Sequence, residues 1–370
     1  MVSRRFAFPR FSRDAVSRRS GSPKGLSWLE QRPASGAAER LNLSQVVQSL
    51  AFDGSSGVKA AVLRQYGAPP EYGEFEDPDA PDGHLIVDVE AAGVHHLDLL
   101  KASGNYYAGT PPLPSVVGGD GVGRLPDGRR VFFESVLAPY GSMAERTVVP
   151  QDSVFEIADG VDSALAAALG NTGIVAWLAL EWRARLERAE TVAVLGATGA
   201  VGSAAVQIAR ELGAGRVVAA DRAGERLASL GADAVVELDD DKDAAAAFKH
   251  AAPDGVDVII DPLWGPPALA AMGAARPRAR HVQIGHIASP TLTLPATLVR
   301  STALNLLGFK WFDPPLDVRR AAYLRLTELA ARGGLTLNVE VLPLTAISAA
   351  WHRQQRADGT AKLVMACSSR

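Results

Sequence analysis

The tightest constraint in this chain is the octet Leu195-Gly196-Ala197-Thr198-Gly199-Ala200-Val201-Gly202. It follows the apolar run Thr191–Leu195 and opens a segment of helical apolar spacing at 201–212, so it predicts a strand, a tight turn and a helix. Gly196 permits the turn, Gly199 lets the backbone approach a pyrophosphate, and Gly202 lets the helix pack close to the strand. The helix N-terminus then offers free N–H groups and a positive dipole end to phosphates, with Ala197, Thr198, Ala200 and Val201 completing the cradle. The spacing is G-x-x-G-x-x-G rather than the commoner G-x-G-x-x-G. Asp221 ends the next apolar run 19 residues after Gly202, close to the position of an acid that binds ribose hydroxyls. A carboxylate there favours NAD and repels the 2′-phosphate of NADP. Arg222 follows it and would pair with that phosphate if Asp221 turned away, so NADP stays open as the alternative.

From there the chain alternates. Strands are predicted at 216–220, 234–238, 256–261 and 280–284, with helices at 225–230, 243–250 and 267–275 between them. That order implies a parallel sheet covered on both faces. A strand at 304–309, a helix at 318–332 and late strands at 336–342 and 362–365 follow. Upstream the pattern differs. Short strands at 58–63, 84–92, 130–133 and 144–149 stand among many glycines and prolines, which reads as a small β-barrel. Residues 150–162 form a connector, and 163–188 an Ala- and Leu-rich helix broken near 170–173.

At 370 residues, 47% hydrophobic and 21% charged, the chain can bury a sizeable core. Its net charge of −3 offers no basic field to nucleic acid or an anionic membrane. No run of about 18 apolar residues appears, so no transmembrane helix is expected. The one cysteine, Cys367, excludes an intramolecular disulfide and any multi-thiolate metal centre, and points to a reducing, cytoplasmic compartment. The first 57 residues stand apart, with nine Lys/Arg against four acids and only a short helical stretch at 43–52. Their net +5, within a total of −3, leaves −8 on residues 58–370. Such a leader is a transit peptide, a disordered tail or sequence ahead of the true start; a disordered basic leader is expected, and it has no secretory apolar region.

Several segments carry a family resemblance. Val58-Lys59-Ala60-Ala61-Val62-Leu63 resembles the opening strand of the medium-chain dehydrogenase/reductase superfamily. Ala91-Ala92-Gly93-Val94-His95-His96-Leu97-Asp98, residues 112–123, Gly141-Ser142-Met143-Ala144-Glu145, Val256-Asp257-Val258-Ile259-Ile260-Asp261-Pro262 and Val282-Gln283-Ile284-Gly285 resemble its zinc-free quinone oxidoreductase branch. The resemblance spans 58–370. It implies an α/β protein: a GroES-like β-barrel catalytic domain over 58–178, completed by 310–370, and a Rossmann dinucleotide-binding domain over 179–309. The active site would lie in the cleft between them. A homodimer paired through the nucleotide domains is also implied.

The departures from that family matter as much. Where its zinc enzymes place Cys, Gly-His-Glu and a second Cys, this chain has His95, Gly118-Gly119-Asp120 and a position near Gly170, and the four-cysteine structural lobe is absent. No zinc is therefore expected, since a catalytic zinc needs three protein ligands. The zinc-free branch has Asn-Pro where this chain has His95-His96, and the Asn position faces nicotinamide and substrate. The resemblance thus makes His95 either a carbonyl-orienting or proton-donating residue or a buried turn cap. His96 reads as structural, and Asp98 and Asp120 as loop-fixing carboxylates. Tyr106 and Tyr107 fall where the family carries a substrate-loop aromatic, and Asn171 and Thr172 where the chain would reach the nicotinamide amide. His281 reads as a satisfied structural histidine, while Gly285 and His286 stand at the carboxyl end of the fifth strand, nearer the cofactor crevice. The activity implied is zinc-independent hydride transfer from NAD(P)H to a quinone or α,β-unsaturated carbonyl, with a small-molecule substrate. A zinc-type alcohol dehydrogenase that recruits His95 and Asp120, and a non-catalytic dinucleotide-binding or redox-sensing protein, are the alternatives.

Overall fold

The computed structural model describes residues 57–222, 224–239, 243–357, 359 and 361–368. The basic leader, including the helical stretch expected at 43–52, lies outside the described residues apart from Gly57. In chain order, β1 (Val58–Leu63), β2 (Glu71–Phe75) and β3 (His84–Gly93) lead into a short helix α1 (His96–Ala102). Then come β4 (Ser115–Val116), β5 (Asp120–Arg124), β6 (Arg130–Glu134), β7 (Arg146–Pro150), β8 (Val154–Glu156) and the long helix α2 (Ser163–Leu178). The alternating part runs β9 (Thr191–Leu195), α3 (Ala200–Glu211), β10 (Arg216–Asp221), α4 (Glu225–Ser229), β11 (Ala234–Glu237), α5 (Ala244–Ala251) and β12 (Val256–Asp261). It continues as α6 (Gly265–Met272), β13 (Ala275–Gln283), α7 (Ala296–Thr302) and β14 (Asn305–Gly308). The chain closes with α8 (Leu316–Ala331), β15 (Val339–Pro343), α9 (Ile347–Arg356) and β16 (Lys362–Ala366).

Among the described residues the strands form three sheets. β9 to β14 make a six-stranded parallel sheet in the order β11-β10-β9-β12-β13-β14. β2-β1-β4 form a three-stranded sheet, and β15-β16-β3-β5-β6-β8, with β7 on β3, a seven-stranded one. These two are the barrel. The parallel sheet follows from the short apolar strands, because the central ones, β9, β10 and β12, bury side chains on both faces. In β9, Val192 and Val194 face the cluster of Ile174, Leu178, Ile208 and Leu326, while Ala193 and Leu195 face that of Val218, Phe248 and Ile259. The return to the barrel is made by β16, which pairs antiparallel with β3 through Val364↔Gly93 and Ala366↔Ala91.

The core helix α2 begins at Asp162, whose side chain accepts from Leu165 N at 2.9 Å, the usual N-cap bond. Its expected break falls at Gly170 (φ −46°, ψ −110°). By length and composition Ser163–Arg183 could cross a membrane, yet 72% of its most apolar window is buried inside the protein. It is the helix on which the two halves of the core meet.

Several elements differ from expectation. β2 has little apolar content and forms by pairing with β1. The helices α1, α7 and α9 lie where no helix is expected from the sequence; α9 nonetheless seals the barrel with Ile347, Ala350 and Trp351. The late strand expected at 336–342 runs Val339–Pro343. Cys367 sits just past β16, 3% exposed, its Sγ near the carbonyls of Ser142 and Met365.

Candidate active site

The cofactor end is built from backbone. Gly196 adopts φ +60° at the end of β9, a left-handed conformation in which a side chain is strained. Gly199 caps α3, and the first intrahelical bond runs from Ser203 N to Gly199 O, so the N–H groups of Ala200, Val201 and Gly202 precede it. A Cβ on Gly202 would overlap the carbonyl oxygen of Gly196. Ala197 N bonds to Ala220 O at 3.1 Å and locks the turn onto β10. Asp221 ends β10 and folds back over the turn: Oδ2 accepts from Thr198 N (2.9 Å) and Thr198 Oγ1 (2.6 Å), and Oδ1 from Arg222 N (2.8 Å). A carboxylate has about four lone-pair sites, so it can still accept from a ribose hydroxyl. Gly285 lies tight against Pro262, beyond β12 in the same sheet. His286 lines an open hollow of about 470 Å³ with Trp264, Gln283, Pro290, Leu306 and Gly308, none of which belongs to the glycine turn.

The second centre is a small pocket in the barrel wall. It is lined by His95, Leu97, Asp98, Lys101, Gly119, Asp120, Ser135, Val136, Asn171, Trp311 and Phe312. At about 70 Å³ it is far below the ~300–1,000 Å³ that enclose a whole ligand, so it has room for no more than one end of a molecule. His95, 7% exposed, is held on both sides. Its Nδ1 is 2.8 Å from Lys362 Nζ, which also donates to Val94 O at 2.6 Å. Its Nε2 is 3.2 Å from Asp120 Oδ1, a contact too bent for a hydrogen bond. The other oxygen of Asp120 accepts from Asn171 N at 3.3 Å, which the kink at Gly170 makes possible. Trp311 contributes a buried Nε1 with no partner.

Charge is concentrated behind this wall. Burial pulls the Lys362 ammonium down to about 8 against the attraction of Asp120 and Asp98. Burial alone would raise Asp120, but His95 and Lys362 outweigh it and the carboxyl ends below its ordinary value. Asp98 is pushed up by burial; it caps α1 by accepting from His95 N at 2.8 Å. Beside Asp120 across β5 and β6 stands Glu134, fully buried and raised to about 7 by that burial. Arg319 donates to its Oε1 from Nε (3.1 Å) and Nη2 (2.7 Å), while Oε2 has no partner.

The other expected residues fall elsewhere. Tyr106 and Tyr107 pack on each other, centroids 4.7 Å apart, in the loop after α1 and outside the pocket wall. Tyr107 is largely exposed and the Tyr106 phenol is raised to about 12 by burial. Thr172 is buried in α2 behind Asn171. His281 is a structural partner, its Nε2 2.8 Å from Asp261 Oδ2 while Asp261 Oδ1 caps Leu263 and Trp264. His96 opens α1 and is lowered by burial and by the Lys362 charge. Asp120 does more than fix a loop, since it joins His95 to α2. Lys362, Trp311 and Glu134 were missed, as each reaches the site from a distant segment, and Lys101 because the helix that carries it was not expected.

These residues do not fit a zinc ion. A Cβ at Gly170 would overlap the Phe132 ring and stand 2.8 Å from Asp120 Oδ2, so a ligand cannot be placed there. At Gly119 a Cβ would stand 3.6 Å from Lys101 Nζ, a cation. Lys362 places a second ammonium against His95. Among the described residues no group of three or more His, Cys, Asp or Glu could hold a metal ion.

Residues 200–326 match the family described as Zinc-binding dehydrogenase, a segment that contains none of positions 95, 119, 120 and 170. The quinone oxidoreductase of Thermus thermophilus, solved also in complex with NADPH, superposes with a TM-score of 0.69 at 30% identity, covering 83% of this chain and 99% of that one. The chain belongs to the medium-chain dehydrogenase/reductase superfamily, in its quinone oxidoreductase-like branch. As a member of that superfamily it is an NAD(P)-dependent oxidoreductase, and the glycine turn with Asp221 fits a nicotinamide dinucleotide. Quinone oxidoreductase-like protein 2 of Mus musculus is 29% identical over 266 residues, 68% of this chain and 75% of its own. The 2-methylene-furan-3-one reductase of Solanum lycopersicum is 28% identical over 279 residues, 68% of this chain and 70% of its own.

Proposed function

We propose that this oxidoreductase works without zinc and moves a hydride from a reduced nicotinamide to a quinone or an α,β-unsaturated carbonyl. The observation that carries the reading is the pocket itself: a buried imidazole held by Lys362 stands at the position that the resemblance assigns to a metal ligand in the superfamily's zinc enzymes, and Gly170 leaves no room for another. A simple ketone is harder to polarise without a Lewis acid. A conjugated acceptor spreads the developing negative charge, so hydrogen-bond donors suffice. When bound, the dinucleotide supplies the hydride; the chain positions and stabilises. The glycine turn binds the pyrophosphate on the first turn of α3, and Asp221 takes the ribose hydroxyls, which favours NADH over NADPH. His95 Nε2 and Trp311 Nε1 offer N–H groups to the substrate oxygen, and His95 returns a proton to it. Asn171 and Thr172 border the nicotinamide, Arg222, Gly285 and His286 the cofactor's rim, and Tyr106 and Tyr107 the substrate's entry.

The same reading divides the chain into a barrel domain, 58–178 with 310–370, and a nucleotide domain, 179–309. It places the protein in the cytoplasm as a homodimer. The free edge strand β14, with Leu306 46% exposed, supports pairing through the nucleotide sheets.

The test is turnover with NADH and NADPH against quinones, enones, saturated ketones and primary alcohols, before and after exhaustive chelation. Quinone or enone reduction that survives chelation is expected. Activity confined to alcohols or ketones and restored only by zinc would establish the alcohol dehydrogenase reading instead. Cofactor binding without turnover of any acceptor would establish the binding-protein reading.

A further inference from the structure

The Lys362–His95 contact is written into the strand register. β16 and β3 run antiparallel with Val364 opposite Gly93, and carrying that register two residues along each strand sets Lys362 opposite His95. Gly93 leaves the space they share: a Cβ there would stand 3.0 Å from His95 Nε2 and 3.2 Å from Lys362 Cε. The lysine stem crosses this gap, and the amine, in a residue only 6% exposed, reaches Val94 O and His95 Nδ1. An ammonium has three donors and no acceptor. Nδ1 must therefore accept, and the ring's own proton resides on Nε2, the nitrogen facing Asp120, in a residue that lines the pocket.

We propose that Lys362 is a positioning residue that fixes the Nε2–H tautomer of His95 and supplies, through that ring, the proton given to the reduced substrate. The proposal rests on the hydride-transfer reading above. After the hydride has arrived, the substrate oxygen carries the electron pair of an enolate or quinol anion. The Nε2–H bond breaks and an O–H bond forms; in concert one N–H bond of Lys362 breaks and an N–H bond forms at Nδ1. The products are a neutral hydroxyl, a neutral imidazole with the opposite tautomer, and a neutral amine. No electrons change owner in this step. A solvent proton entering at Nε2 once product leaves, with the Nδ1 proton returning to the amine, restores the start.

The surroundings suit this. A solvated lysine holds its proton too firmly to act as an acid near neutrality, and burial has brought Lys362 to about 8. The groups that face the pair are His96 and Asp98 on α1 and Asp120 on β5, with Lys101 at the pocket wall and Glu134 of β6 one step further away, beside Asp120. The two aspartates keep the ammonium from being lost outright. Arginine in place of Lys362 separates the two roles, because a guanidinium donates to Nδ1 but does not give up its proton.

The experiment compares wild type, Lys362→Met, Lys362→Arg, His95→Asn and the double variant His95→Asn/Lys362→Met, with melting temperature and NAD(P)H titration recorded for each. Lys362→Met is expected to lower kcat roughly 10²-fold with little change in cofactor affinity, the scale of one general acid. It should also abolish the alkaline fall in kcat that the proposal expects of wild type near pH 8. Lys362→Arg should not restore kcat, and Lys362→Met in the His95→Asn background should cost less than about twofold more, since both act through one ring. An equal loss in both backgrounds, or a wild-type pH profile in Lys362→Met, overturns the proposal. Nitrogen NMR of wild type gives a reading independent of variants and turnover: Nε2 is expected to be protonated and Nδ1 bare at pH 7, and the reverse overturns it. A wild type that reduces no quinone or enone defeats the hydride-transfer reading itself, an outcome distinct from either of these.

Discussion

The glycine turn and the His95 pocket solve the same problem, holding a small polar group in place, with opposite materials. The turn is seven contiguous residues, 196–202, acting through backbone N–H groups and the absence of side chains. The pocket gathers positions 95, 120, 171, 311 and 362, and acts through side chains charged and buried together. A backbone site tolerates almost any neighbour but no added atom at its own glycines. A side-chain site tolerates atoms but depends on register, burial and partner charges set far away.

The sharpest way to break this contrast is Gly202→Val. Its Cβ would strike the Gly196 carbonyl, a clash that cannot relax without moving the turn. NAD(P)H affinity, followed by nucleotide fluorescence, is expected to fall by about 10²-fold or more, or about 2.7 kcal/mol, while the pocket keeps its structure. Asp221→Ser comes next. Removing the carboxylate that lies over Thr198 should shift the ratio of kcat/KM values toward NADPH by roughly tenfold, about 1.4 kcal/mol. An unchanged ratio, or a wild type that already prefers NADPH, means that Asp221 does not set the preference.

Gly170→Ala probes the other centre. The added methyl meets Phe132 and Asp120, and overpacking of this kind costs about 1–3 kcal/mol, a loss of several degrees in melting temperature. Turnover should fall with it, because Asn171 N loses its line to Asp120. Cofactor affinity should hold. A parallel loss of affinity would show that the two centres are not independent.

Smaller still is the pH dependence of Glu134. Its carboxyl is raised in the fold from an ordinary 4.5 to about 7, so the folded state binds the proton more tightly. The stability this contributes is complete below about pH 4.5 and is lost as pH rises through about 7. The melting temperature of wild type minus that of Glu134→Gln should therefore decline between pH 5 and 7.5 and level off above. A flat difference would place Glu134 at its ordinary value. The smallest expected effect is none: prolonged chelation should leave turnover intact, and zinc-specific recovery would reverse the reading of Gly119, Gly170 and Lys362.

The same contrast explains what was legible. The turn, its strand and helix, and Asp221 could be read because every residue involved is local and the fold demands glycine at particular positions. The alternation of strands and helices was legible for the same reason. Helix α1 was not, since seven residues with little apolar periodicity form it only when Asp98 caps His95. Strand β2 was not, because its pairing with β1 rather than its composition creates it. Lys362 could be seen as the start of a strand, but its meeting with His95, 267 residues away, is a matter of register. His95 was singled out from a family position; of the neighbours that decide what it does, Asp120 was read only as loop-fixing and Lys362 was not singled out.

The single cysteine has a consequence for chemical durability. Quinones and enones are electrophiles that alkylate thiolates, so a protein that handles them is exposed to its own reagents. Cys367 is 3% exposed, and burial pushes its thiol up to about 12. The thiolate, which is the reactive form, is therefore scarce at any physiological pH and shielded when it does arise. With no other cysteine in the chain, the protein presents no accessible thiolate to the acceptors proposed for it, and repeated turnover leaves no thiol within their reach to label.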